Sequence, residues 1–358
     1  MAAPKSISKP VRRPASRAPG ARTTLAGLAR DLGLSQTTVS FVLNGQAEQR
    51  KIAPKTAERV LKAAADADYV PNGLARSLRQ QRTHAIGVVF PHLRGDWAHR
   101  ITQGVAEVMS RIGTVPLIVC HYGSGETELK LLHSLVERRV DGIICNPLAD
   151  GFGRYQQVCD RGVPLVFLSD APTGLESISL AASDPAAVTT AIDHLLELGH
   201  RRIAYLGVRD NRVVSEARFQ AYRQALADAG VVVDEHDLVL VDPGEPFDDP
   251  VRDLLARNDA PTACFAVYDD VAVRVVELIE QQGLRCPLDV SVATIGGNVP
   301  LTNTGRHVTT VLCPVEQEGK AAAECLLEMI QHPKHEPLRR MVGGGVLQPG
   351  HTTGPRAS

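Results

Sequence analysis

The sequence predicts an all-α helix-turn-helix head followed by a large α/β body built as two lobes. Two short amphipathic segments joined by a glycine-containing turn occupy residues 24–43. From Ala85 onward, apolar strand-like runs alternate with helical stretches, and the alternation restarts near Arg201. Charge divides the chain in the same place. Residues 1–83 hold 15 Lys and Arg against 5 Asp and Glu, while the rest holds 24 against 35, so a net charge of −1 conceals a basic front on an acidic body. At 358 residues and 44% hydrophobic composition, two or three domains with sizeable cores are expected.

In the first segment Leu25, Leu28, Ala29 and Leu32 fall at i, i+3, i+4 and i+7, one apolar helical face. Thr24 suits an N-cap, and Gly33 suits the left-handed residue that ends a helix. Ser35 caps a second helix whose Val39, Val42 and Leu43 face the first, leaving Gln36, Thr37, Ser40 and Phe41 outward. A short second helix with small polar residues outside is the form that enters a DNA major groove, although a plain helical bundle can show the same spacing. A third helix begins with Pro54 at its first position and carries Val60, Leu61, Ala64 and Ala65 inward. The segment PNGLARSLR then leads to the body.

In the body, AIGVVF, VPLIVCH, DGIIC and PLVFLS predict four buried strands, and RRIAYLGV, LVLV, ACFAVY and VSVATI four more. Strand–helix alternation predicts parallel sheets covered on both faces, with ligands bound at the carboxyl ends of the strands. The seven cysteines are dispersed without a CxxC pair, which reads as buried thiols in a reducing cytosol. No His/Cys cluster has ligand spacing, and no phosphate-cradling glycine loop or nucleophile elbow occurs, so neither metal, cofactor nor enzymatic activity is expected. Residues 1–22 carry six basic and no acidic residues and no apolar core of a secretory signal. They read as a disordered basic tail that attracts phosphate. No run has the length of a membrane span, and no membrane partner is expected.

Several motifs in order, TTVSFVLNG, DYVPNGLARSLR, IGVVFP, RRVDGIIC, GVPLVFLSD, HLLELGHRRIAYLG, EARFQAYRQAL, TACFAVYDDVA and PLDVSVATIGG, give the chain its closest family likeness. It resembles the LacI/GalR family of bacterial transcription regulators over roughly Thr23 to Gly354. The resemblance implies a head over 23–71, a hinge over 72–83 and a periplasmic-binding-protein-like (type I) effector domain over 84–358. It implies an N-lobe of about 84–177 and 307–334 and a C-lobe of about 178–306 and 335–354, with crossings near Ser177, Arg306 and His335. Further implications are a cytoplasmic, nucleoid-associated homodimer (a tetramer stays open), double-stranded operator DNA as partner and a small-molecule effector. The alternative is a solute-binding receptor without a transcriptional role.

Carried over by motif, Gln36, Thr37 and Phe41 fall at base-reading positions. Gln36 can pair with adenine, and Thr37 can bond a base or touch a thymine methyl. Phe41 stands where relatives often carry Arg; it reads as a thymine contact or as part of a small core. Thr24, Ser35, Thr38, Ser40, Asn44, Lys55 and Thr56 fall on phosphate-contacting positions. Asn72, Ala75, Arg76 and Leu78 belong to the hinge, with Leu78 at the position of a minor-groove wedge. The loop Gln46–Lys51 lies in a connection about three residues longer than is usual in the family.

For the effector, the resemblance implies His92, Trp97, Arg212, Arg218, Phe265, Tyr268 and Asp269, although Asp269 also reads as a helix N-cap. Gly296 and Gly297 replace a ligand carboxylate, Tyr268 a frequent Asn and His92 a frequent Asp. Those losses weaken a simple sugar inducer, and the pair Arg212 and Arg218 suggests an anionic effector, a phosphorylated metabolite or a carboxylate. A surface arginine pair is the plain alternative.

Overall fold

The structure, a computed structural model, describes residues 23–69, 82–93, 96–175, 178–182, 184–332 and 339–356. Two compact units make up the chain, Met1–Arg79 and Gln80–Ser358.

The smaller unit holds α1 (Leu25–Leu32), α2 (Gln36–Leu43) and α3 (Pro54–Asp66). Thr24 Oγ1 accepts the Gly27 N–H at 3.1 Å, and Gly33 ends α1 at φ 66°, where a side chain would be strained. Ser35 Oγ accepts the Thr38 N–H at 3.0 Å and starts α2. The three helices close around Leu28, Ala29, Val39, Val42, Val60 and Ala64. Leu61 and Ala65 do not join them, and Leu61 is 54% exposed. With 100° between successive residues, the inward face of α3 runs through Ala57, Val60, Ala64 and Ala67, and Leu61 and Ala65 lie one position past it.

The larger unit contains two six-stranded sheets. The first lobe is built from β1 (Ala85–Phe90), α4 (Trp97–Ser110), β2 (Val115–Cys120), α5 (Gly125–Glu137), β3 (Ile143–Cys145), α6 (Phe152–Asp160), β4 (Leu165–Leu168) and β5 (Ile178–Ala182). The second lobe follows as α7 (Asp184–Glu197), β6 (Ile203–Val208), α8 (Val213–Asp228), β7 (Leu238–Val241), α9 (Asp248–Leu255), β8 (Ala263–Ala266), α10 (Asp269–Gln281), β9 (Ser291–Gly296) and β10 (Thr309–Leu312). The chain returns to the first lobe with α11 (Val315–Gln331) and β11 (Arg339–Val342), then ends its strands in the second with β12 (Val346–Gln348).

Strand order is β11-β5-β4-β3-β1-β2 in the first sheet and β12-β10-β9-β8-β6-β7 in the second. All pairs are parallel except β12 with β10. Alternate residues of each strand serve opposite cores, as a sheet covered on both faces requires. Val88 and Phe90 face α4 and α11, for example, whereas Val89 faces α5 and α6. Helices α4 and α11 touch backbone to backbone. A Cβ on Gly104 would lie 2.2 Å from the Glu316 carbonyl oxygen, and one on Gly319 would lie 2.3 Å from that of Ile101.

The eight expected strands are all present, but β2, expected to be buried, is partly exposed because it lies at the edge of its sheet. Four further strands, β5, β10, β11 and β12, join them and move the lobe boundaries. Because β5 and β11 extend the first sheet and β10 the second, the crossings fall between β5 and α7, at Cys313–Pro314, and at Gly343–Gly345. They do not fall near Ser177, Arg306 and His335.

Candidate nucleic-acid interface and effector cleft

In the smaller unit, the outward half of α2 carries Gln36 and Thr37, both exposed. Beside them the Ser35 and Thr38 hydroxyls are 2.8 Å apart at the helix N-terminus, where backbone N–H groups and the helix dipole favour an anion. Thr24 caps α1 and is exposed. At the start of α3, Lys55 is exposed and Thr56 half-buried, and Ala53 provides no side-chain cap to that helix end.

Ser40 departs from expectation. It is only 9% exposed, and its hydroxyl accepts Asn44 Nδ2 at 3.2 Å. The chain leaving α2 turns back over it, with Gly45 at φ 71° and the Gln46 N–H on the Phe41 carbonyl at 2.9 Å. Asn44 spends its amide on Ser40 as well, donating to the Ser40 carbonyl at 2.7 Å. Phe41 is half-buried yet outside the head core, and the Arg50 guanidinium covers its ring at 4.5 Å from the centroid. Asn72, Ala75, Arg76 and Leu78 lie outside the described residues.

In the larger unit, a cleft of about 400 Å³ opens at the carboxyl ends of strands from both sheets. It sits where strand order reverses, between β1 and β3 in one sheet and β6 and β8 in the other. The lobes also meet directly through the Ala149 N–H on the Asn211 carbonyl at 2.7 Å. Trp97, on the first turn of α4, lines the cleft and meets Phe90 edge-on at 5.4 Å. His92 and Tyr268 approach it from opposite lobes with ring centroids 6.1 Å apart. Asp269 also lines it. Burial raises its carboxyl above the usual range, and its Oδ1 accepts the Asp270 N–H at 2.9 Å. Asp269 is therefore the first residue of α10 rather than its cap, which is Tyr268.

Phe265 is not there. It lies mid-strand, fully buried among Tyr205 and its neighbours, because β8 reaches the cleft only after Ala266.

The two arginines line the cleft already paired. Arg212 Nε donates to Asp210 at 2.6 Å and its Nη2 to the Tyr268 hydroxyl. Arg218 donates to Asp184 at 2.8 and 3.2 Å. Asp184, Asp210, Asp269, Asp270 and Glu318 line the same cleft, so acidic side chains outnumber the two arginines there. Both guanidinium groups are thus engaged by carboxylates. Burial, reinforced by Asp184 and opposed by Arg218, pushes the Glu318 carboxyl up to about 8. Near neutrality it therefore carries a proton and can donate. Asn146, 3% exposed, gives its amide to the Leu168 carbonyl at 2.9 Å and leaves Oδ1 without a partner in the cleft.

Asp184, Asp210, Asn146 and Glu318 were not legible beforehand. Each is an ordinary polar residue in sequence, and only the strand ends and α11 gather them. Gly297 has a steric role too, since a Cβ there would lie 2.7 Å from Arg100 Cδ. Among the described residues no group of acidic, His or Cys side chains could hold a metal ion, and no helix is long and apolar enough to cross a membrane.

Comparison with known proteins agrees with this division. Residues 24–72 match the family model of bacterial regulatory proteins of the lacI family, and residues 192–353 that of the periplasmic binding protein-like domain. An HTH-type transcriptional repressor, PurR, of Vibrio campbellii is 32% identical over 87% of this chain and 93% of its own. The ribose operon repressor of Haemophilus influenzae is 28% identical over 89% and 95%. Among solved structures, a transcriptional regulator CelR–cellobiose complex is 26% identical, covers 92% of this chain and 100% of its own, and has a TM-score of 0.67. The lac repressor dimer bound to operator and the anti-inducer ONPF shares the fold, with a TM-score of 0.80 over 93% of this chain and 100% of its own at 23% identity. The chain is a regulator and not an enzyme; with its helix-turn-helix head and two-lobed type I body, it belongs to the lacI family of bacterial regulatory proteins.

Proposed function

We propose that this protein is a cytoplasmic transcriptional repressor that binds a pseudo-palindromic operator as a homodimer and is switched by an uncharged, hydroxyl-bearing effector in the cleft. Gln36 and Thr37 read base edges, while Ser35, Thr38, Thr24, Lys55 and Thr56 hold phosphates, with Asn44 and the hinge residues Asn72, Ala75, Arg76 and Leu78 completing the contact. A solute-binding receptor would have no use for such a head.

The observation that carries the effector class is the unpartnered Asn146 Oδ1 in a cleft whose arginines are already paired with carboxylates. A buried acceptor without a partner selects for a donor, and a ligand hydroxyl supplies one at no charge cost. Trp97 offers an apolar face for a sugar ring. The ribose repressor and the cellobiose complex among the relatives point the same way.

A dimer is supported by the sheet edge. Among the described residues strand β2 has no neighbour on one side, and it exposes Val115 (59%) and Ile118 (41%), an apolar edge that invites a second copy. Two symmetric heads also supply the contact that one head lacks.

The test is selection of bound duplexes from a random pool, followed by release with a panel of neutral and phosphorylated sugars. A palindromic consensus released only by neutral compounds supports the proposal. No preference over random duplex would remove the operator reading, and release only by phosphorylated sugars would remove the effector class.

A further inference from the structure

We propose that Arg50, carried on the loop after the recognition helix and stacked on Phe41, is a specificity-determining residue that reads a guanine in the major groove. This rests on the head being a DNA reader. Phe41 by itself offers DNA only an apolar ring. The structure lays a guanidinium over that ring at 4.5 Å and leaves it with no ion pair to any described residue.

The loop holds Arg50 in place. The Arg50 N–H donates to the Gln46 carbonyl at 3.0 Å, and the Ile52 N–H to that of Ala47 at 2.8 Å. Ala47 and Ile52 pack onto the head core on either side of the exposed Glu48–Lys51 stretch. Lys51 turns the chain at φ 53°. Arginine normally loses much side-chain freedom on binding; here stacking on Phe41 has already ordered it while both outer edges of the fork stay open.

Position selects the ligand. Thr37 and Phe41 are one helical turn apart on α2, about 5.4 Å. Base-pair steps are about 3.4 Å, so a guanidinium over Phe41 meets the base one or two steps from that under Thr37. A planar fork at a base edge matches guanine O6 and N7 bidentately. The neighbouring Lys51, a point charge on the same loop, suits a phosphate.

The experiment repeats the site selection with the full-length chain, the R50A and R50K variants, and F41L, which removes the ring under the guanidinium. The wild type should select guanine at one symmetric position per half-site. R50A should lose that preference roughly tenfold or more while preferences elsewhere persist, R50K should lose most of it, and F41L should weaken it in part. Arg50 is exposed, so thermal unfolding should not change. An equal loss on all sequences with a shallower salt dependence would make Arg50 a phosphate contact and overturn the proposal, as would an unchanged consensus. A wild type that selects no sequence would instead overturn the DNA-reading role itself.

Discussion

Replacing Asp184 with Asn tests whether the cleft arginines are already satisfied. Asp184 and Arg218 are 7% and 9% exposed, and two guanidinium nitrogens reach one carboxylate oxygen at 2.8 and 3.2 Å. Removing one partner of a buried pair leaves an uncompensated charge and costs about 3–5 kcal/mol. Glu318 reduces the loss here. Asp184 is one of the groups that raise its carboxyl, so without that charge Glu318 ionises more readily and takes up part of the compensation of Arg218. A cost near 3 kcal/mol is therefore expected in urea unfolding followed by Trp97 emission. The variant should also acquire what the wild type lacks: inorganic phosphate should bind in the cleft at least tenfold more tightly, read by the same tryptophan. Asp210→Asn should act alike through Arg212 and serves if Asp184→Asn folds poorly. Phosphate binding to the wild type as tight as to both variants would show that the guanidinium groups were available all along, and the case for an uncharged effector would fail.

Three other outcomes are expected. Gln36→Ala should relax base preference at one position per half-site at a cost of about 1–3 kcal/mol, measured by competition between single-base operator variants; an equal loss on every variant would instead mark a phosphate contact. Glu318 keeps its proton in the folded chain up to about pH 8, whereas the unfolded chain releases it near 4.5, so stability should fall as pH rises across that window. Glu318→Gln should remove up to ~1.4 kcal/mol per pH unit of that slope, and an unchanged slope in urea titrations at several pH values would refute the assignment. Gly104→Ala should destabilise the larger unit by about 2 kcal/mol or more in the same unfolding assay, because the new methyl meets the Glu316 carbonyl at 2.2 Å and backbone cannot rotate aside. A neutral effect would mean that α4 and α11 can separate freely.

Local pattern determined a large part of this protein. Thr24, Gly33 and Ser35 set helix ends through hydrogen bonds and backbone geometry with residues one turn away, so the ends of the first two helices were legible from spacing alone. The apolar strands of the sheet interiors, β1 and β9 above all, were legible for a similar reason, since burial on both faces leaves a near-continuous apolar run. Ser40 and Phe41 show where such reading ends. Helical periodicity put both outside, but Asn44 bonds back to the buried Ser40 and the Gln46–Lys51 loop stacks Arg50 on Phe41.

Strands β5, β10 and β11 were not anticipated, and what identifies them is their pairing with β4, β9 and β5. That pairing moved the lobe crossings. The cleft depended on tertiary structure still more. Arg212 and Arg218 looked like anion binders because their partners, Asp210 and Asp184, carry no mark in the sequence, and for Arg218 that partner is 34 residues away. Whether a charge is free or already compensated depends on distances of a few ångströms across chain segments. One-dimensional order holds residue types and local periods; the folded chain alone sets those separations.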